Sequence, residues 1–271
     1  MDSISRVILL GFLFLLSLGN YALAYADKGL ESYRNGDYAT ALKEWKLLAE
    51  QGDPRGQSNL AVLYLYGQGV ETDPEEAAKW YERAANQGYV PAQIMLGNLF
   101  RDGYGVSLDY VEAAKWYKLA ADQGDKDAQF KFGELLISGS GVPEDHKQVV
   151  VWWKLAAEQG HIDATLGLGE IYLKGHGVEP DPKEAFKWYK ASAKQGNEEG
   201  QISLGAMYAQ GLGIIKSPLY AYMWFNIAAL QENERAKQFV ERISKNMTAS
   251  EIEEAKKLTL MCIDTEYEVC Q

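Results

Sequence analysis

The residues of this 271-residue chain that could do chemistry are three histidines, two cysteines, five Gly-x-Gly pairs and a scatter of carboxylates. His146, His161 and His176 stand 15 apart (161−146, 176−161), a spacing that does not set two ligands on one helix face, so they read as solvated side chains. Cys262 and Cys270 are not spaced as C-x-x-C and form neither a zinc set nor a redox motif. In an oxidising compartment such a lone pair forms a disulfide. A continuous helix cannot hold it, because eight positions rise about 12 Å whereas bridged Cα atoms lie roughly 4.4–6.8 Å apart. The chain must turn between them, at Asp264-Thr265, closing a loop worth about 2.5 kcal/mol. No Ser is followed three residues later by Lys, and H-E-x-x-H and G-x-S-x-G are absent. The Gly-x-Gly pairs lack the preceding strand and the Lys-Ser/Thr ending of a phosphate loop. The expectation is a chain with no catalytic residue, no metal site and no cofactor.

Composition narrows the partners. With 27 Lys and Arg against 38 Asp and Glu the formal charge is −11, which offers no basic stripe for nucleic acid or an anionic membrane surface. With 47% apolar residues the chain is expected to fold. Its first residues differ from the rest: MDSISR carries one positive charge, VILLGFLFLLSL is an apolar run, and ALA ends at Ala24. That order predicts a signal peptide over 1–24, cleaved after Ala24. The run rises only about 18 Å as a helix, short of a ~30 Å hydrocarbon core, so no integral membrane segment is expected in the mature chain.

The elements that would position any site follow from a repeat. Trp80, Trp116, Trp152, Trp188 and Trp224 are each 36 apart (116−80 and onward), and Gly67/Gly69 recur at the same interval up to Gly211/Gly213. A period of this size marks a solenoid of supersecondary units. Asp73, Asp109, Asp145, Asp181 and Ser217 are N-cap residues, and Glu76, Glu112, Gln148 and Glu184 three positions later predict capping boxes. Gly88, Gly124, Gly160 and Gly196 stand where a helix ends in a left-handed residue; in the fifth unit that glycine is Glu232. An earlier helix in each unit runs from about Pro54 to Tyr66 in the first, and the Gly-x-Gly-Val segment turns the chain between the two. The aromatic pairs from Trp80-Tyr81 to Trp224-Phe225, with Gly97, Gly133, Gly169 and Gly205, are the expected interface between units.

The pattern A-x-x-x-L-G-x-x-Y-x-x-G-x-G-V…D-x-x-x-A-x-x-W-Y-x-x-A-A-x-Q-G resembles the Sel-1-like repeat, a relative of the tetratricopeptide repeat; residues 162–197 match it almost throughout. The resemblance implies an all-α fold, a right-handed α-solenoid of helix-turn-helix repeats with period 36 and C-terminal capping helices. The expected order is a short tetratricopeptide-like repeat over 25–53, five Sel-1-like repeats over 54–233, and capping helices with the Cys pair over 234–271. It implies an exported bacterial protein, periplasmic or secreted, acting in regulation, assembly or host interaction by binding a peptide or partner protein. The alternative it carries is a hydrolase, since a β-lactamase-like activity has been proposed for cysteine-rich relatives. No nucleophile beside a base supports that alternative here.

On the first helix of each unit, positions 56, 60, 61, 63 and 64 fall on one side at 100° per residue and read as core. Positions 55, 58, 62, 65 and 66 fall opposite, on the side that lines the concave surface of a tetratricopeptide-like array. There the expected groove consists of Ile94, Asn98, Arg101, Asp102, Asp127, Phe130, Glu134, Asp163, Leu166, Glu170 and Lys174. An apolar row beside carboxylates fits a partner with basic and apolar residues.

Overall fold

The computed structural model describes residues 28–268 and Cys270, and every regular element among them is α-helical. The expected signal peptide lies outside the described residues. Helix α1 covers residues 28–34 and α2 spans Tyr38–Glu50. Then A helices α3 (Pro54–Tyr66), α5 (Val90–Asp102), α7 (Lys126–Ser138), α9 (Ile162–Lys174) and α11 (Glu198–Gln210) alternate with B helices. These are α4 (Pro74–Asn86), α6 (Tyr110–Asp122), α8 (His146–Glu158), α10 (Pro182–Lys194) and α12 (Pro218–Leu230), followed by α13 (Glu234–Ser244) and α14 (Ala249–Asp264). Consecutive A helices start 36 residues apart (90−54), as do consecutive B helices (110−74).

The B helices start where the caps predicted. Asp73, Asp109, Asp145, Asp181 and Ser217 each accept a hydrogen bond from the first-turn amides. The expected capping boxes do not form there. The cap's own N–H is already bonded, Asp73 N to Tyr64 O at 2.8 Å and Asp181 N to Tyr172 O at 2.8 Å, because the turn folds back onto the preceding A helix. Glu112 and Glu184 therefore turn outward and pair with Lys115 and Lys187. The only reciprocal box among the described residues is Thr248 with Glu251, at the start of α14.

Two glycines make each turn possible. The first, such as Gly103 at φ 64°, ends the A helix in the left-handed region. The second serves a neighbour: a Cβ on Gly105 would stand 2.2 Å from the Pro74 carbonyl oxygen, and one on Gly213 2.1 Å from that of Pro182. Only a residue without a side chain lets the turn of one repeat rest on the first residue of the B helix before it.

The chain folds as two compact units. The first holds the described residues up to Ala128 with Ser140–Val142; its core gathers Trp45, Leu48, Leu60 and Leu63 in one cluster and Tyr81, Leu96 and Trp116 in the next. Trp80 packs against both clusters. The second holds Gln129–Gly139 and the residues from Pro143 on, with a core built around Trp224, Met223, Ile227 and the Cys262–Cys270 disulfide. Within the aromatic pairs burial is uneven: Trp116 and Trp224 are buried and Trp80, Trp152 and Trp188 half-buried, while the following residues Tyr81, Tyr117, Trp153, Tyr189 and Phe225 are all buried. The second ring lies over the A-helix glycine, Tyr117 on Gly97 and Tyr189 on Gly169, where no Cβ holds the helices apart. Each such ring contributes roughly 3 kcal/mol.

At the C-terminus α14 ends at Asp264, and Glu266 and Tyr267 turn the chain at φ 49° and 68°. That turn brings Cys262 and Cys270 to a Cα separation of 5.2 Å in a disulfide, with Tyr267 stacked 6.4 Å from Trp224.

Candidate functional site

In the first unit the A helices α3 and α5 leave a cleft of about 500 Å³ between them. The expected residues Asn98, Arg101 and Asp102 line it together with Leu65, Tyr66, Met95 and Tyr104. Arg101 and Asp102 form a bidentate pair, Nε to Oδ1 at 2.8 Å and an Nη to Oδ2 at 3.0 Å. Asn98 accepts from the buried Tyr117 hydroxyl at 2.8 Å, which fixes its amide at the cleft floor. Tyr66 and Tyr104 are 62% and 48% exposed, two large rings offered to solvent at the rim. Ile94 is half-buried and Asp127 exposed; neither lines this cleft.

In the second unit the exposed and apolar positions separate. Glu134, Asp163, Glu170 and Lys174 are exposed, and Glu170 pairs with Lys174. Phe130 is half-buried between Trp153, centroids 5.2 Å apart, and His161, 4.4 Å apart. Leu166 packs on the core, and Ile202, at the same register in α11, is only 3% exposed. Position 58 is thus shared between packing and surface. Burial pushes the Tyr189 hydroxyl up to about 12, and the Glu170 and Glu199 carboxylates act in the same direction.

Sequence reasoning passed over a row of buried amides. Gln93, 3% exposed on α5, donates to Ala85 O at the end of α4 (3.1 Å) and accepts from Gln123 after α6 (2.8 Å). Gln57 and Gln201 repeat the arrangement with Ala49 and Gln87, and with Ala193 and Gln231. One amide therefore ties three helix ends. The recurrence of Gln at 87, 123, 159, 195 and 231 was the available signal.

Of the histidines expected to be solvated, His176 is exposed, whereas His146 and His161 are half-buried. His161 caps α9 through Nδ1, 3.2 Å from Ala164 N. The rings of His146 and His176 lie 5.7 Å apart, because Gly177 rests on the His146 backbone. Among the described residues no group of three or more His, Cys, Asp or Glu could hold a metal ion.

Helix-turn-helix units at a fixed period, stacked through their own repeated residues, define a helical repeat solenoid, a class of protein that generally serves as an interaction scaffold. The Sel1 repeat family profile matches residues 54–89, 90–125, 126–161, 162–197 and 198–233, and the chain belongs to that family, an all-α solenoid of repeats. Among solved structures it is similar to a protective antigen present in uropathogenic Escherichia coli strains, which displays an SLR fold. That likeness has 32% identity and a TM-score of 0.81, covers 91% of this chain, and spans only about half (54%) of the antigen. It is also similar to a Sel1 repeat protein from Oxalobacter formigenes, at 35% identity and TM-score 0.71, over 80% of this chain and 86% of that one. A search of curated proteins finds no match. No described helix is long and apolar enough to cross a membrane.

Proposed function

We propose that the chain is exported, periplasmic or secreted, and holds a peptide or partner protein on the exposed faces of its A helices in a regulatory, assembly or host-interaction role. The observation that carries this is the α3/α5 cleft, where Asn98, Arg101 and Asp102 meet the exposed Tyr66 and Tyr104. In the second unit, Glu134, Asp163 and Glu170 stand exposed on helices that also carry Phe130 and Leu166. Acids beside apolar groups favour a segment with basic and apolar residues. The modules are residues 25–53, 54–233 and 234–271. The disulfide supports export, and the antigen among its relatives supports a host-facing role.

The test replaces Glu134 and Glu170 together by Lys. Both are exposed, so the circular dichroism spectrum and Tm should stay as in the wild type. Capture of the protein retained from the native compartment at low salt should fall at least tenfold. Wild-type capture by the double variant would overturn the acidic-face assignment. Intact-mass analysis of exported protein should give a chain beginning at Tyr25 with no free thiol.

A further inference from the structure

A second cleft, of about 560 Å³, lies within the second unit among α11, α12 and α13, and its charge is opposite to that of the chain. Its walls include Phe225, Phe239, Ile243 and Pro218, and its charged residues are Lys216 and Arg242, with no carboxylate among its lining residues. Phe225 and Phe239 stack at 5.0 Å, and the Arg242 guanidinium lies over the Phe239 ring at 5.5 Å. The neighbouring Glu241 is paired with Lys245 and does not neutralise the cleft. Arg242 stands 180 residues after Val62 (242−62), five periods of 36, so α13 continues the A-helix register. The position that is Glu134 in α7 and Glu170 in α9 has become arginine. At the turn before α12, Ile215 is 86% exposed beside Lys216.

We infer that this cleft is a docking site for an acidic, apolar peptide segment of a partner protein: large apolar side chains seated among the phenyl rings, flanked by Asp or Glu on Lys216 and Arg242. Charge complementarity selects that occupant. A guanidinium already stacked on a ring presents its donors to a carboxylate with little side-chain freedom left to lose. The volume falls within the ~300–1,000 Å³ of ordinary ligand pockets. The site stands apart from the acidic A-helix face proposed above and is tested separately. The probe is a pool of acetylated, amidated decapeptides with a Glu-Φ-x-Φ-Glu core, Φ being Leu, Ile or Phe, alongside a matching pool with Lys in place of Glu. The full-length mature chain should retain the acidic pool at low salt and release it as salt rises. Lys216→Glu with Arg242→Glu should weaken retention at least tenfold at unchanged Tm, whereas Glu134→Lys with Glu170→Lys should not weaken it. Equal retention of the lysine pool, indifference to the Lys216/Arg242 reversal, or no retention of the acidic pool overturns the inference. So does retention only of peptides carrying a free terminal carboxylate, which assigns the cleft to chain ends. A concentration-dependent dimer in sedimentation velocity that the Lys216/Arg242 reversal abolishes assigns it to a second copy and equally overturns the inference.

Discussion

Replacing Gln93 by Ala should cost about 3 kcal/mol, although nothing in its polarity marks it as a core residue. The side chain makes two neutral hydrogen bonds, to Ala85 O at 3.1 Å and from Gln123 at 2.8 Å, each worth about 1 kcal/mol net. Its two buried methylenes add about 1.5 kcal/mol, and the better helix propensity of Ala returns about 0.4 kcal/mol. The Ala85 carbonyl still accepts from Gly88 N at 2.9 Å, so no orphaned-carbonyl penalty is added. Urea unfolding followed by circular dichroism, applied to Gln93→Ala, Gln123→Ala and the double variant, isolates the pair term, expected near 1 kcal/mol. The fourth repeat supplies a control, because Thr165 stands at the bridging register (165−93 = 72, two periods) and donates to His161 O at 2.9 Å instead. Gln195→Ala should therefore cost less than about 0.5 kcal/mol. A cost below about 1 kcal/mol for Gln93→Ala, or zero coupling to Gln123, would refute the bridge as a stabilising device.

Three further outcomes follow from backbone and burial. Gly105→Ala should destabilise by about 3 kcal/mol or more, since φ is 74° and its Cβ meets the Pro74 carbonyl, while Gly124→Ala, at φ 93° with open space around it, should cost about 1 kcal/mol; thermal melts of equal size for the two would contradict the close-approach argument. Glu232 holds φ 66° where the other repeats have glycine, so relief of that backbone strain in Glu232→Gly should stabilise by about 1 kcal/mol and raise Tm by roughly 2–3 °C. Burial pushes the Tyr81 and Tyr208 hydroxyls up, Tyr208 to about 12. With the folded value raised, their stabilisation is fully present below the unfolded value of about 10 and is lost as pH rises toward 12, so ultraviolet titration should show phenolate absorbance rising together with loss of helix.

What the sequence made legible was whatever a single residue type enforces locally. Asp73 and its successors cap because a carboxylate is the partner a free first-turn amide requires, and Gly103 turns the chain because φ there is positive. The five repeats over 54–233 were what the resemblance implied, and the family match covers the same residues. The capping boxes failed because a backbone carbonyl of the preceding A helix had already taken the cap's N–H, a non-local competitor. Likewise Gln93 looks like a surface residue until two other helix ends are placed beside it, and His146 meets His176 only through the packing of Gly177. In the candidate site, Asn98, Arg101 and Asp102 came from helical register, whereas Tyr104 sits on a turn that register does not reach. The reversal of charge at Arg242 was hidden because α13 lacks the glycine punctuation that made the other A helices recognisable.

Carboxyl footprinting reads directly whether the A-helix face is the one that meets a partner. Carbodiimide coupling of glycine ethyl ester, with and without the captured partner, labels exposed acids on both helix classes: Glu134, Asp163 and Glu170 on A helices, Glu82 and Glu158 on B helices. The predicted result is that the partner protects Glu134, Asp163 and Glu170 at least threefold while Glu82 and Glu158 label as in the free chain. Protection confined to Glu82 and Glu158 would place the partner on the B helices and contradict the account.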